Sequence, residues 1–225
     1  MSERMRNWFR KYAIVSRKKR LVRDKRFHSF DTAKTVGIVF KVEEGMIPPE
    51  VFSVRKFLLK KNIQCSVVGY CDSKALPEEL SHITSLDLFT KQELNWYGRP
   101  IAENVNKFLQ NSYDIVIDLC RDEERYPYPL KYIVSTVQAS MIIGGVLYPR
   151  CPYDLVVDAQ QVCDTSGYVA QVKHYISIIN NPQAVAEEEN EEEEVKEEAS
   201  AASAKIVSQY DKQYNRHGSS AGNAV

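Results

Sequence analysis

The chain has 225 residues, 44% of them apolar, and its 30 basic side chains balance 30 acidic ones, so it is formally neutral. No run of about 18 apolar residues is present, which excludes a spanning helix, and the length fits one domain with appendages. The five cysteines include no C-x-x-C pair and the four histidines lack zinc-ligand spacing, so neither a disulfide framework nor a metal centre is expected.

Neutrality hides a segregation of charge. Residues 1–26 hold eleven Lys or Arg against two acids, whereas residues 187–198 (EEENEEEEVKEE) hold nine Glu against one Lys. The basic start lacks the apolar stretch of a signal peptide, so secretion is not expected and a reducing cytoplasm fits the cysteines best.

Residues 5–22 contain no Pro or Gly and put Met5, Trp8, Phe9, Tyr12 and Val15 at helical spacing, which predicts an amphipathic helix. The run RKKRLVRDKR continues that helix or frays from it, and residues 27–34 form a polar join. The period then changes. Residues 35–40 (TVGIVF) predict a first strand, Pro48-Pro49 opens a helix carrying Val51, Val54, Phe57 and Leu58, and residues 64–70 predict a second strand. A loop leads to a short third strand at residues 86–90. Thr90-Lys-Gln-Glu has the form of a capping box, and Asn95-Trp-Tyr-Gly closes a small turn.

A helix over 101–110 precedes YDIVIDL at 113–119, whose continuous apolar centre suits a buried parallel strand. The polar loop RDEERYPYP leads to a helix over 130–139, strands at 141–144 and 153–158, and a last helix over 162–179. Alternation of this kind predicts a three-layer α/β fold with a mostly parallel sheet, flavodoxin-like or Rossmann-like. The organisation expected is a basic helical arm over 1–34, an α/β domain over 35–182 and a disordered acidic tail over 183–225.

The arm is the leading candidate for function. Arg10, Lys11, Arg17, Lys18, Lys19, Arg20, Arg23, Lys25 and Arg26 can neutralise phosphates with release of counterions. Trp8 and Tyr12 can stack on unpaired bases or anchor the helix. RNA or a ribonucleoprotein surface is the expected partner, with an anionic membrane surface as the alternative. The helix could also simply dock on the domain with its charges solvated. The acidic tail would either mask the arm or serve solubility.

Parallel sheets bind ligands beyond the carboxyl ends of their strands, which places Asp72, Ser73, Asp118 and Arg121 at the candidate small-molecule edge. Gly37 stands alone in its strand and no G-x-x-x-x-G-K-[ST] occurs, so nucleotide-loop signatures are missing. No G-x-S-x-G elbow is present, and nothing pairs Cys120 with His82 or His174, so neither a catalytic residue nor a cofactor is assigned. Trp96 and Tyr97 are expected either to plug the core or to form a recognition patch, and Tyr126-Pro-Tyr-Pro, in the loop after Asp118, is expected over the same sheet edge.

The succession AKTVGIVF, VVGYCDSK, FTKQELNWYGRP, YDIVIDL, PLKYIVSTVQASMIIGG and YDLVVD, behind a basic helix, resembles a family of uncharacterised conserved Bacteroidota proteins. FTKQELNWYG is its most distinctive segment. The resemblance implies an α/β body and carries over no activity and no site residue.

Overall fold

The computed structural model describes residues 2–120, 126–148, 150–157 and 165–178, so the acidic tail and Arg121 lie outside the described residues. In chain order the elements are α1 (Glu3–Lys18), β1 (Thr35–Val42), α2 (Pro49–Lys60), β2 (Gln64–Cys71), α3 (Glu78–Ser81), β3 (Asp87–Phe89) and α4 (Glu103–Gln110). They continue as β4 (Ser112–Asp118), α5 (Tyr128–Thr136), β5 (Gln138–Gly144), β6 (Leu155–Val156) and α6 (Thr165–Ile178). All strand pairs are parallel, and the order is β3-β2-β1-β4-β5-β6. This is the Rossmann-type doubly wound order, which reverses between β1 and β4 and opens a crevice at their carboxyl ends.

The centre of the sheet is apolar on both faces because helices cover both. Ile38, Phe40, Ile115, Ile117, Met141 and Ile143 meet α2 and α6 through Val54, Leu58, Val169 and Ile176. Val39, Val68, Val116 and Ile142 meet α4 and α5 through Val105, Phe108, Leu130 and Ile133. Each such side chain, fully buried, stabilises the fold by roughly 1.5–3 kcal/mol. Gly37 is explained by this packing: a Cβ there would come within 2.9 Å of the Phe108 ring tip, so the strand needs the missing side chain.

Most expected elements are present with shifted ends. Residues 78–81, read as loop, form the single turn α3, whose Leu80 is buried. The helix expected over 130–139 ends at Thr136, because Val137 turns extended and Gln138 pairs in register with Ser112 of β4. The basic helix ends at Lys18 rather than near residue 22, since the chain must turn for Arg23 to reach the end of the sheet. The capping box is present, with the Thr90 amide donating to Glu93 Oε2 at 2.8 Å. Among the described residues no helix is long and apolar enough to cross a membrane.

Candidate functional site

The basic segment packs within the same compact unit as the sheet, with α1 lying outside α5. Its inward face is Phe9, Arg10, Ala13, Ile14 and Arg17, each half-buried. Ala13 and Ile14 pack on the core beneath, while Phe9 meets Trp96 edge-on at 4.8 Å and Tyr97 face-on at 6.0 Å. The apolar stripe read from the sequence therefore splits. Phe9 docks, and Met5, Trp8, Tyr12 and Val15 remain exposed.

The cations also divide. Arg10 Nε donates to the Tyr97 carbonyl at 2.8 Å and its guanidinium lies 4.8 Å from the Tyr128 ring centre. Arg17 donates to the Leu109 carbonyl at 3.1 Å and the Thr136 carbonyl at 3.4 Å, in the last turns of α4 and α5 where a cation is favourable. Arg23 donates to the Ala139 carbonyl at 2.7 Å and pairs with Asp154, which also holds Lys25 at 2.9 Å. Arg26 pairs with its neighbour Asp24 at 2.8 Å. Arg10, Arg17 and Arg23, expected to contact phosphate, thus each spend donors on backbone carbonyls of their own chain.

What remains faces outward. Lys11, Lys18, Lys19 and Arg20 are exposed and form no ion pair among the described residues. Partial desolvation, helped by Arg23 close by, holds the Lys18 ammonium below its ordinary range. Trp8 and Tyr12 stack at 5.5 Å with an 8° interplanar angle while 59% and 58% exposed. Beside these contacts lies a cleft of about 570 Å³, lined by Tyr12, Arg17, Arg20, Trp96, Arg99 and Tyr132 among others.

The carboxyl edge of the sheet holds a second cavity of about 680 Å³, at the place the strand order predicts, lined by Lys41, Glu43, Cys71, Asp72, Ser73 and Cys120 among others. Asp72 accepts a hydrogen bond from Tyr70 at 2.8 Å and pairs with Lys91 at 3.0 Å. Burial opposes its ionisation, but these hydrogen bonds outweigh burial and hold its carboxyl below the usual range.

Asp118 does not join that cavity. It is fully buried, and its carboxylate accepts hydrogen bonds from Tyr153 Oη at 2.7 Å, from Tyr126 Oη and from the Cys120 amide at 2.9 Å. Burial raises it from the ordinary 3.8 to about 6, against the pull of those donors. Expected at the ligand edge, Asp118 instead lies buried with its carboxylate hydrogen-bonded by Tyr126, Tyr153 and the Cys120 amide. Among the described residues no group of three or more His, Cys, Asp or Glu is placed to hold a metal ion.

Sequence reasoning missed Arg99, Tyr132, Tyr148 and Tyr153. Arg99 is a single arginine in the segment FTKQELNWYGRP, with no spacing pattern to mark it. The tyrosines come from segments far apart in sequence, and only the fold unites them. The Asn-Trp-Tyr-Gly turn is neither plug nor free patch: it seats α1 and leaves Trp96 49% exposed beside it.

No curated protein matches the chain. Among solved structures, the chain is similar to an exopolyphosphatase-related protein from Bacteroides fragilis, with a TM-score of 0.44 and 14% identity over 65% of this chain. The chain spans 41% of the length of that protein. Residues 6–179 match the model of the family of unknown function DUF6913, and the chain belongs to that family.

Proposed function

We propose that the protein is a noncatalytic binding protein that holds single-stranded RNA, free or on a ribonucleoprotein surface, through the outward face of α1. One observation carries the reading: Trp8 and Tyr12 stack while largely exposed, on the side of the helix that bears Lys11, Lys18 and Lys19, which form no ion pair among the described residues. Open π-faces stack on any unpaired base, and unpaired ammonium groups neutralise phosphates without sequence preference. A cytoplasmic location goes with this reading. So does the prominence of FTKQELNWYG as a Bacteroidota family mark, since that segment is the seat of the helix.

The test is fluorescence anisotropy of a labelled single-stranded RNA, with an RNA duplex and anionic vesicles as parallel arms. The reading expects tight, salt-sensitive binding of the single strand and weaker binding of the duplex. Binding only to anionic vesicles would replace RNA by a membrane surface and defeat the proposal.

A second reading rests on the carboxyl-edge cavity at the point of strand-order reversal, which suits a small-molecule ligand near Lys41, Asp72 and Ser73. A thermal-shift screen of phosphorylated metabolites tests it, since a ligand bound only by the folded state raises the melting temperature.

A further inference from the structure

The cleft behind α1 has a composition unlike that of an ordinary helix-packing seam. Three guanidinium groups, Arg17, Arg20 and Arg99, line it together with the rings of Tyr12, Trp96 and Tyr132, and no carboxylate is among its lining residues. Its volume of about 570 Å³ is in the range that holds small ligands, roughly 300–1,000 Å³.

Arg99 is the least satisfied of the three. Its guanidinium carbon lies 5.5 Å from the Tyr132 ring centre, a cation–π contact that fixes the plane of the group. Its Nε is buried and has no hydrogen-bond partner among the described residues, although buried donors are nearly always paired in native proteins. Arg20 stands exposed at the mouth with no ion pair among the described residues, whereas Arg17 is already committed to the Leu109 and Thr136 carbonyls. Trp96 contributes a half-exposed indole opposite the helix.

We propose that this cleft seats one unpaired nucleotide, its base against the rings of Tyr12 and Trp96 and its phosphate on Arg20 and Arg99. Planar rings supply stacking and guanidinium forks supply charge-assisted, bidentate phosphate contacts, so both halves of a nucleotide find their complement. The inference deepens the RNA reading by naming the unit that the arm delivers to the body. The same chemistry is shared by a free mononucleotide and by a base splayed from a strand, so the experiment must separate them.

Trp8→Phe in the full chain leaves Trp96 as the sole tryptophan, because the chain has two. Its emission is followed while adenosine monophosphate, adenosine, ribose 5-phosphate and a short oligo(A) RNA are titrated. Saturable quenching by adenosine monophosphate and by the RNA is expected, with adenosine and ribose 5-phosphate each at least about tenfold weaker. Arg20→Gln and Arg99→Lys should each weaken adenosine monophosphate about tenfold. Arg20 is exposed and the lysine keeps the charge at 99, so neither change should unfold the chain; far-UV circular dichroism checks this. If RNA binds with steep salt dependence while Trp96 emission stays fixed, the cleft is overturned and the arm reading stands. If adenosine monophosphate binds but RNA does not, the cleft stands as a free-nucleotide site and the arm reading falls. Silence from every probe in this variant overturns the cleft, and absence of single-stranded RNA binding by the parent chain in the anisotropy test overturns the arm reading as well.

Discussion

Arg10 and Tyr97, 87 residues apart in sequence, are joined by a hydrogen bond of 2.8 Å from the guanidinium Nε to the backbone carbonyl. That bond fastens the basic helix to the turn at residues 95–98. The Tyr128 hydroxyl returns a bond to the Arg10 carbonyl at 3.1 Å, so helix, turn and α5 are locked at one point.

Replacing that arginine should loosen the helix without unfolding the sheet. Arg10→Ala removes a hydrogen bond and a cation–π contact, which together are worth about 1–2 kcal/mol. Amide hydrogen exchange should accelerate through α1 while β1 and β4 keep their protection. Equal acceleration in all three would show that the helix is integral to the core.

Asp154 is the anchor at the other end of the basic segment. Its carboxylate holds Arg23 and Lys25 and accepts the Ile142 amide at 2.9 Å, with only 9% of the side chain exposed. Asp154→Asn leaves a half-buried guanidinium without its counter-ion and should cost about 3 kcal/mol in urea unfolding. A loss within error of zero would mean the pair is not held in solution.

Asp118 should give the protein an unusual acid response. Burial lifts its carboxyl from 3.8 to about 6 in the folded chain, so the folded state binds that proton more tightly than the unfolded state. Its contribution to stability is therefore full below about pH 4 and is lost as pH rises to about 6. The difference is on the order of 3 kcal/mol. Asp118→Asn cannot titrate, so the stability of the parent relative to this variant should fall across that window. A rising or level difference would show that the tyrosine donors outweigh burial.

Gly144 faces the ring of Tyr153, and a Cβ there would come within 2.3 Å of it. Gly144→Ala should displace Tyr153 from Asp118 and destabilise the fold by about 1–3 kcal/mol. The near-ultraviolet circular dichroism of the tyrosines should change with it, while the far-ultraviolet signal stays.

The sheet was legible because parallel strands buried on both faces are written as short apolar runs, such as the one from Tyr113 to Leu119, bounded by polar breaks. The basic helix was legible from its spacing and charge. Its orientation was not, because Phe9 and Trp8 are adjacent aromatics and only the position of Trp96 decides which one docks. The roles of Arg10, Arg17 and Arg23 were equally hidden, since they donate to backbone carbonyls, which leave no trace in side-chain sequence, and Arg23 pairs besides with Asp154, 131 residues away. Asp118 looked like a ligand at a strand end because the tyrosines that saturate it lie 8 and 35 residues away. Asp72 and Ser73 line the carboxyl-edge cavity, a position that a strand end alone determines.

The outward face of α1 is tested most directly by the salt dependence of single-stranded RNA affinity, in the parent and in a variant with Lys11, Lys18, Lys19 and Arg20 changed to Gln. Single strands release about 0.7 counterion per neutralised phosphate, so the parent should show a slope of log affinity against log salt of about −3. The variant should lose most of that slope and most of the affinity. A flat response in the parent, or an unchanged slope in the variant, would contradict the account.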